Sequence, residues 1–387
     1  MDNQKHLFSL RNDIHYLNCA YKSPLLKSSE ERGIRALIRD RNPSDIIADD
    51  FFNEAEEVRR KFSQIVNCKP SNVAIIPSVS YGLGSVLKNI KYKSGQHFMA
   101  VEDEFPSGYF SIKRWCDDNG AELKIIRPNR DHQQIGKSWN EALLDQINEN
   151  TAVVAMASIH WMTGLKFDLE KIGKKCQSVG AHFIVDGTQS VGALAIDVKR
   201  YHIDALICAG YKWLMGPYSL GAAYVGEKYY NGAPLEETWM NRTNARDFSN
   251  LTVYDMNYTP DAGRFNVGES GNFILIPMFN ESLRQILSWG IPEIQAYCGK
   301  LINPLLAYLE RIGAVMEDEK YRTNHLFALK LPAGIDMDLM KENLKKNKIY
   351  ISVRGEFLRV AVNVFNTKDD IAKLIETIEE TKEMSKL

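Results

Sequence analysis

Ile203-Asp-Ala-Leu-Ile-Cys-Ala-Gly-Tyr-Lys-Trp-Leu-Met-Gly-Pro217 is the stretch on which the reading of this chain turns. Its opening apolar run has the composition of a short strand covered on both faces. Lys212 follows at once, between Tyr211 and Trp213, so an amine stands at the mouth of an apolar interior. Gly210 and Gly216 let backbone approach closely there. Upstream, a second apolar run, His182-Phe-Ile-Val185, ends in Asp186-Gly-Thr-Gln189. A lone lysine after a strand is usually a solvated surface residue. Here the aromatic neighbours and the place relative to Asp186 argue for a partly desolvated amine with a lowered pKa, a usable nucleophile. Asp186 has a plainer alternative as the N-cap of a helix over residues 187–194, yet a carboxylate at the end of a buried strand is costly without a partner.

Working outward, short apolar runs recur at residues 73–76, 97–101, 123–126, 152–157, 182–185, 205–208 and 222–225. Helical patterns lie between most of them, at 106–119, 140–147 and 169–179. The alternation predicts an α/β fold, a mostly parallel seven-stranded sheet with flanking helices and ligands at the carboxyl ends of its strands. Residues 28–70 read as helical, with Phe51, Phe52, Ala55, Val58, Phe62 and Ile65 near a spacing of three and four. Residues 231–265 are polar and aperiodic, a long functional loop. One long helical stretch, 279–312, follows. Then come strands near 326–331, 349–353 and 358–362 and helices at 337–346 and 368–384, a smaller α+β C-terminal domain. The expected division is a large domain over 20–275 and a small one from 1–19 with 276–387.

A chain of 387 residues suits one large and one smaller domain. A net charge of −1 offers no electrostatic argument for nucleic acid or an acidic membrane. No apolar window is long enough to span a bilayer, and Met1–His6 lacks a signal core. Six scattered cysteines without a Cys-x-x-Cys pair read as reduced thiols of a cytoplasmic protein, not as a disulfide framework or zinc site.

A strand-end Asp, a Gln three residues on and a Lys after the next strand form the arrangement that pyridoxal phosphate (PLP) chemistry requires. The amine bonds the cofactor aldehyde, Asp186 keeps the pyridine nitrogen protonated, and Gln189 offers an amide to the ring hydroxyl oxygen. Ser78-Val-Ser80-Tyr-Gly82, between a strand and a helix, makes a phosphate seat from backbone N–H groups and hydroxyls. Its rival is a dinucleotide turn: Gly82-Leu-Gly84 begins a Gly-x-Gly-x-x-Gly pattern, with Glu102 and Asp103 about 20 residues on. Leu87 replaces the third glycine, which disfavours a nicotinamide-dependent oxidoreductase. Phe105, at a strand end, is placed to stack on a flat ring or to fill core. His160 and Trp161, in Ser158-Ile-His-Trp-Met-Thr-Gly164, close another buried strand, and His160 has no partners at metal-ligand spacing. Arg359, within an apolar strand, needs an anion: a substrate carboxylate, or an acidic side chain in a structural salt bridge.

Together these residues resemble the class V aminotransferase family, the cysteine desulfurase-like group of fold-type I PLP enzymes. The resemblance runs from Tyr16-Leu-Asn18 to Phe365-Asn-Thr367. Glu104-Phe-Pro-Ser107, Ser158-Ile-His-Trp161 and Gly210-Tyr-Lys-Trp213 look most like the isopenicillin N epimerase-like and kynureninase-like branches. The resemblance implies Lys212 as the Schiff-base lysine, Asp186 on the pyridine nitrogen and Gln189 on the ring oxygen. It implies Val79 through its backbone, Ser80 and Tyr211 at the phosphate, and Phe105 stacked on the ring, with His160 beside the cofactor. It implies Arg359 on the substrate carboxylate near Trp161. Arg264-Phe-Asn-Val-Gly-Glu-Ser270 matches a segment that reaches a partner's phosphate, which implies a homodimer and gives Ser270 a cofactor contact. Cysteine desulfurases carry a catalytic Cys shortly before the carboxylate arginine; residues 349–357 contain none, which argues against persulfide chemistry. Asn363 and Trp161 stand where the family often has His and Asn. The expected activity is transamination of an amino acid, with epimerisation or β-elimination next and a non-catalytic PLP-binding module as the remaining reading.

Overall fold

The computed structural model describes residues 1–130, 132, 134–354 and 357–386. Gly355 and Glu356, in the segment read around Arg359, lie outside the described residues. A short strand β1 (His15–Tyr16) comes first. Seven strands then build the main sheet: β2 (Val73–Ile76), β3 (His97–Val101), β4 (Glu122–Ile126), β5 (Thr151–Ala157), β6 (His182–Asp186), β7 (Ala205–Ala209) and β8 (Gly221–Val225). Their order is β2-β8-β7-β6-β5-β3-β4. Only β8 runs against its neighbours; the other six share one direction. That order is not the 3-2-1-4-5-6 of a dinucleotide-binding sheet, so the fold removes the nicotinamide alternative's structural basis.

Every residue of β2, β3, β5 and β7 is buried, which is why these strands read as continuous apolar runs. Alternate side chains feed opposite faces. Ala74, Ile76 and Ile207 pack with Leu83, Val86, Ile112 and Trp115. Val73, Ile75 and Leu206 pack in the other layer, with Phe62, Ile172 and Phe279. The helices supplying those layers are α1 (Lys27–Arg39), α2 (Asn53–Val66), α3 (Val79–Leu87), α4 (Pro106–Asn119), α5 (Ile135–Gln146), α6 (Leu169–Val179) and α7 (Leu275–Trp289).

The helical reading of 28–70 resolves into α1 and α2, separated by short 3-10 turns from Pro43 onward. The single helix expected over 279–312 is two helices, α7 and α8 (Ile291–Arg311). Gly290, at φ +81°, cannot continue a right-handed helix, and Pro292 starts the next one. Residues 231–265 contain 3-10 turns and no described α-helix or strand.

The C-terminal part comprises β9 (Leu326–Lys330), α9 (Met337–Lys346), β10 (Ile349–Tyr350), β11 (Ser352–Arg354), β12 (Phe357–Ala361) and α10 (Lys368–Met384). The one strand expected at 349–353 is thus split between two sheets. β10 pairs in parallel with β1, while β11, β12 and β9 form an antiparallel sheet. Asn18 bridges Ala361, so the start of the chain is tied to this sheet.

Candidate active site

Because six strands point one way, their carboxyl ends meet along one edge of the sheet, joined by the beginning of β8. A cavity of about 430 Å³ opens there, within the size range of small-molecule sites. Eight of the expected residues line it together: Lys212, Asp186, Gln189, Val79, Ser80, Phe105, Tyr211 and Trp161.

Lys212 is only 8% exposed. Among the described residues its Nζ makes no hydrogen bond or ion pair, and it lies 5.6 Å from the Phe105 ring centroid and 5.8 Å from that of Tyr211. Burial lowers its pKa to about 8 against the opposing pull of Asp186, and the charge of Arg359 lowers it further. Asp186, at the last position of β6, does not cap a helix; residues 187–194 make turns. Its Oδ1 accepts the Thr188 N–H at 2.8 Å. Desolvation pushes its pKa up, opposed first by Thr188 and then by Lys212.

Gln189 is held from both ends of its amide. Its Nε2 donates to Ala20 O at 3.2 Å, and its Oε1 accepts from Trp213 Nε1 at 3.0 Å, leaving a second N–H. His325 closes against it from behind, its Nε2 2.9 Å from Gln189 O and its ring edge-on to Trp213. Desolvation lowers the His325 pKa to about 4, so it is neutral. Glu104 is buried on the cavity wall, with Oε1 accepting Phe105 N at 2.7 Å and Oε2 accepting Ala157 N at 2.9 Å. Desolvation, then the charge of Asp186, raises its pKa to about 7. Neither Glu104 nor His325 was expected as a site residue. Glu104 could have been flagged as the last of three acids that follow an apolar strand; His325 carries no local signal.

At the start of α3, Ser78 caps the helix by accepting Tyr81 N and sits 3.0 Å from Ser80 Oγ. Gly82 answers to packing: a Cβ there would lie 2.7 Å from Ile207 Cγ2, so the glycine lets α3 settle onto β7. Asp103, at φ +52°, turns its carbonyl to two donors, Trp161 Nε1 at 2.8 Å and His160 Nε2 at 3.1 Å.

Three expected residues do not line the cavity. His160 is buried against the Trp139 ring, its Nδ1 2.9 Å from Thr163 Oγ1. Ser270 lines a separate hollow with Arg59, Arg242 and Asp261, and Arg264 donates within its own chain to Thr259 O and Gly232 O. Arg359 is fully buried on β12, its Nη1 donating to Trp161 O at 2.5 Å and its Nη2 to Ser352 Oγ at 3.1 Å. Among the described residues no acid pairs with Arg359 in a salt bridge, and its Nε is buried without a hydrogen-bond partner.

These residues fit PLP: an unpartnered buried amine, a desolvated carboxylate with no direct ion pair to it, an aromatic face and a capped helix start surround one cavity. No described helix is long and apolar enough to cross a membrane, and no described cluster of His, Cys, Asp or Glu could hold a metal ion.

A family profile described as Aminotransferase class-V matches residues 44–374. An uncharacterized aminotransferase of Schizosaccharomyces pombe is 24% identical over 84% of this chain and 81% of its own length. An uncharacterized aminotransferase of Bacillus subtilis is 23% identical over 84% of this chain and 83% of its own. Kynureninases and cysteine desulfurases are also similar. The cystine C–S lyase C-DES, solved with cysteine persulfide, superposes with a TM-score of 0.83 at 16% identity, over 95% of this chain and 97% of the lyase.

Proposed function

Since the chain belongs to the class-V aminotransferase family, whose cofactor is PLP, we propose that it acts at the α-carbon of an amino acid, as an aminotransferase. The observation that carries this reading is Lys212: a buried amine, free of hydrogen bonds among the described residues, with Asp186 on the same cavity. When bound, PLP supplies an aldehyde and a cationic ring that takes up the electron pair left at the α-carbon. Lys212 would be the residue that holds the cofactor's aldehyde, and its amine, whose pKa burial lowers to about 8, would take the α-proton as general base. Asp186 would accept the ring N–H, and Gln189 would offer its second amide N–H to the ring oxygen. Phe105 would cover the ring face. Val79 N–H, Ser80 and Tyr211 would bind phosphate at the start of α3. Arg359, which holds Trp161 by its carbonyl and keeps a buried Nε without a hydrogen-bond partner among the described residues, would bind the α-carboxylate, while His160 fixes the Asp103 carbonyl that Trp161 also meets. A β-lyase is the second reading, favoured by the likeness to a protein described as a C–S lyase.

A homodimer with shared sites fits the family and the apolar side chains Ile34, Leu37 and Ile38 left exposed on α1. In that assembly Ser270 serves the partner's phosphate. The pairing of β1 with β10 supports assigning residues 1–19 to the small domain with 276–387. Six free cysteines suit the cytoplasm.

The test is a panel of L- and D-amino acids offered to the PLP-loaded protein without an acceptor. A transaminase converts one class of L-amino acid to its oxo acid, one per site, with loss of the cofactor's resting absorbance. Ammonia release over many turnovers, or no reaction with any amino acid, contradicts this reading.

A further inference from the structure

The β11–β12 hairpin presents two guanidinium groups, and no described acid neutralises either. Arg359 lies directly opposite Ser352 in the ladder, so the two share a face. Arg354, two residues beyond Ser352, is on that face too. Its guanidinium lies 5.6 Å from the centroid of the Trp161 ring. Trp161 lines the active-site cavity, and its carbonyl accepts from Arg359. Among the described residues, both Arg354 Nε and Arg359 Nε are buried and without a hydrogen-bond partner. The charges feel each other: the Arg359 pKa falls to about 10, from burial first and from Arg354 second.

Stacking on Trp161 accounts for the flat face of Arg354. It does not account for an in-plane N–H left buried and unsatisfied, nor for two like charges on one short hairpin. A ligand with one carboxylate satisfies one arginine. A ligand with two satisfies both, each by paired N–H donors.

We propose that Arg354 is a specificity-determining residue that binds a second carboxylate, so that the substrates are amino acids with an acidic side chain. Arg359 takes the α-carboxylate and Arg354 the side-chain carboxylate across Trp161. The identification of the ligand as an amino acid rests on the proposed function; the paired anion site does not.

Calorimetric titration of the PLP-loaded protein with succinate and glutarate, against propionate and butyrate, tests it without turnover. The dicarboxylates should bind at least about tenfold more tightly. Arg354→Gln should abolish that advantage and leave monocarboxylate affinity unchanged, and Arg354→Lys should restore part of it. The resting cofactor absorbance, equal in wild type and variants, reports an intact fold. Equal affinity for both classes in wild type, or a dicarboxylate advantage that survives Arg354→Gln, overturns the proposal. A protein that prefers dicarboxylates but never transaminates would sink the proposed function alone.

Discussion

At Lys212, burial becomes chemistry. With its pKa lowered to about 8, about a tenth of the amine is neutral at pH 7, against about one part in 2,500 for an ordinary lysine. Covalent uptake of PLP by the apo-protein should therefore quicken about tenfold between pH 7 and pH 9 and then level off. Stopped-flow absorbance measures it; a rate still rising about tenfold per unit beyond pH 9 contradicts the depressed value. Asp186→Asn should keep that uptake and lose about 10²–10³ in turnover, because the ring loses the charge that stabilises it as an electron sink. Glu104 predicts a different pH signature. Its folded pKa, near 7, lies above its ordinary value of 4.5. Its stabilising contribution is thus complete below about pH 4.5 and lost as pH rises through 7. Glu104→Gln replaces one acceptor oxygen by an NH2 facing a backbone N–H, so urea unfolding should show a loss of about 1–3 kcal/mol at pH 5. The deficit should shrink towards pH 8.

At the scale of elements, the strand ends do the positioning. Gly82→Ala forces a Cβ against Ile207 and should cost about 1–3 kcal/mol in stability, while lifting the start of α3 and weakening PLP binding more than Ser80→Ala does. Equilibrium dialysis of PLP compares the two. The seven strands were legible because burial, complete in β2, β3, β5 and β7 and partial in β4, β6 and β8, makes them short, largely apolar runs bounded by polar turns. The break at Gly290 was missed, although Trp289-Gly-Ile-Pro292 carries it, because the apolar period runs on either side. What was illegible is what only distance in the chain creates. His325 reaches Gln189 from another part of the molecule, and Arg354 and Arg359 share a face because Ser352 and Arg359 are in register. Lys212, Asp186 and Gln189 could be read together because consecutive parallel strands deliver their ends to one edge.

For the whole molecule, cofactor and fold are coupled. The cavity proposed for PLP is lined by residues at or just beyond the ends of β2, β3, β5, β6 and β7, so saturating PLP at about 100 times its Kd should raise unfolding free energy by about 2.7 kcal/mol. Calorimetry with and without PLP reads the shift. In the proposed homodimer the second copy would meet this chain at Ser270 and at the exposed face of α1.

The central claim is that one buried amine holds the cofactor. Borohydride reduction of the PLP-loaded protein, followed by peptide mapping, tests it most directly. The account predicts a single pyridoxyl label on the peptide containing Lys212 and none in a folded Lys212→Ala variant. A label on another lysine, or a wild-type protein that binds PLP and yields no labelled lysine, contradicts it.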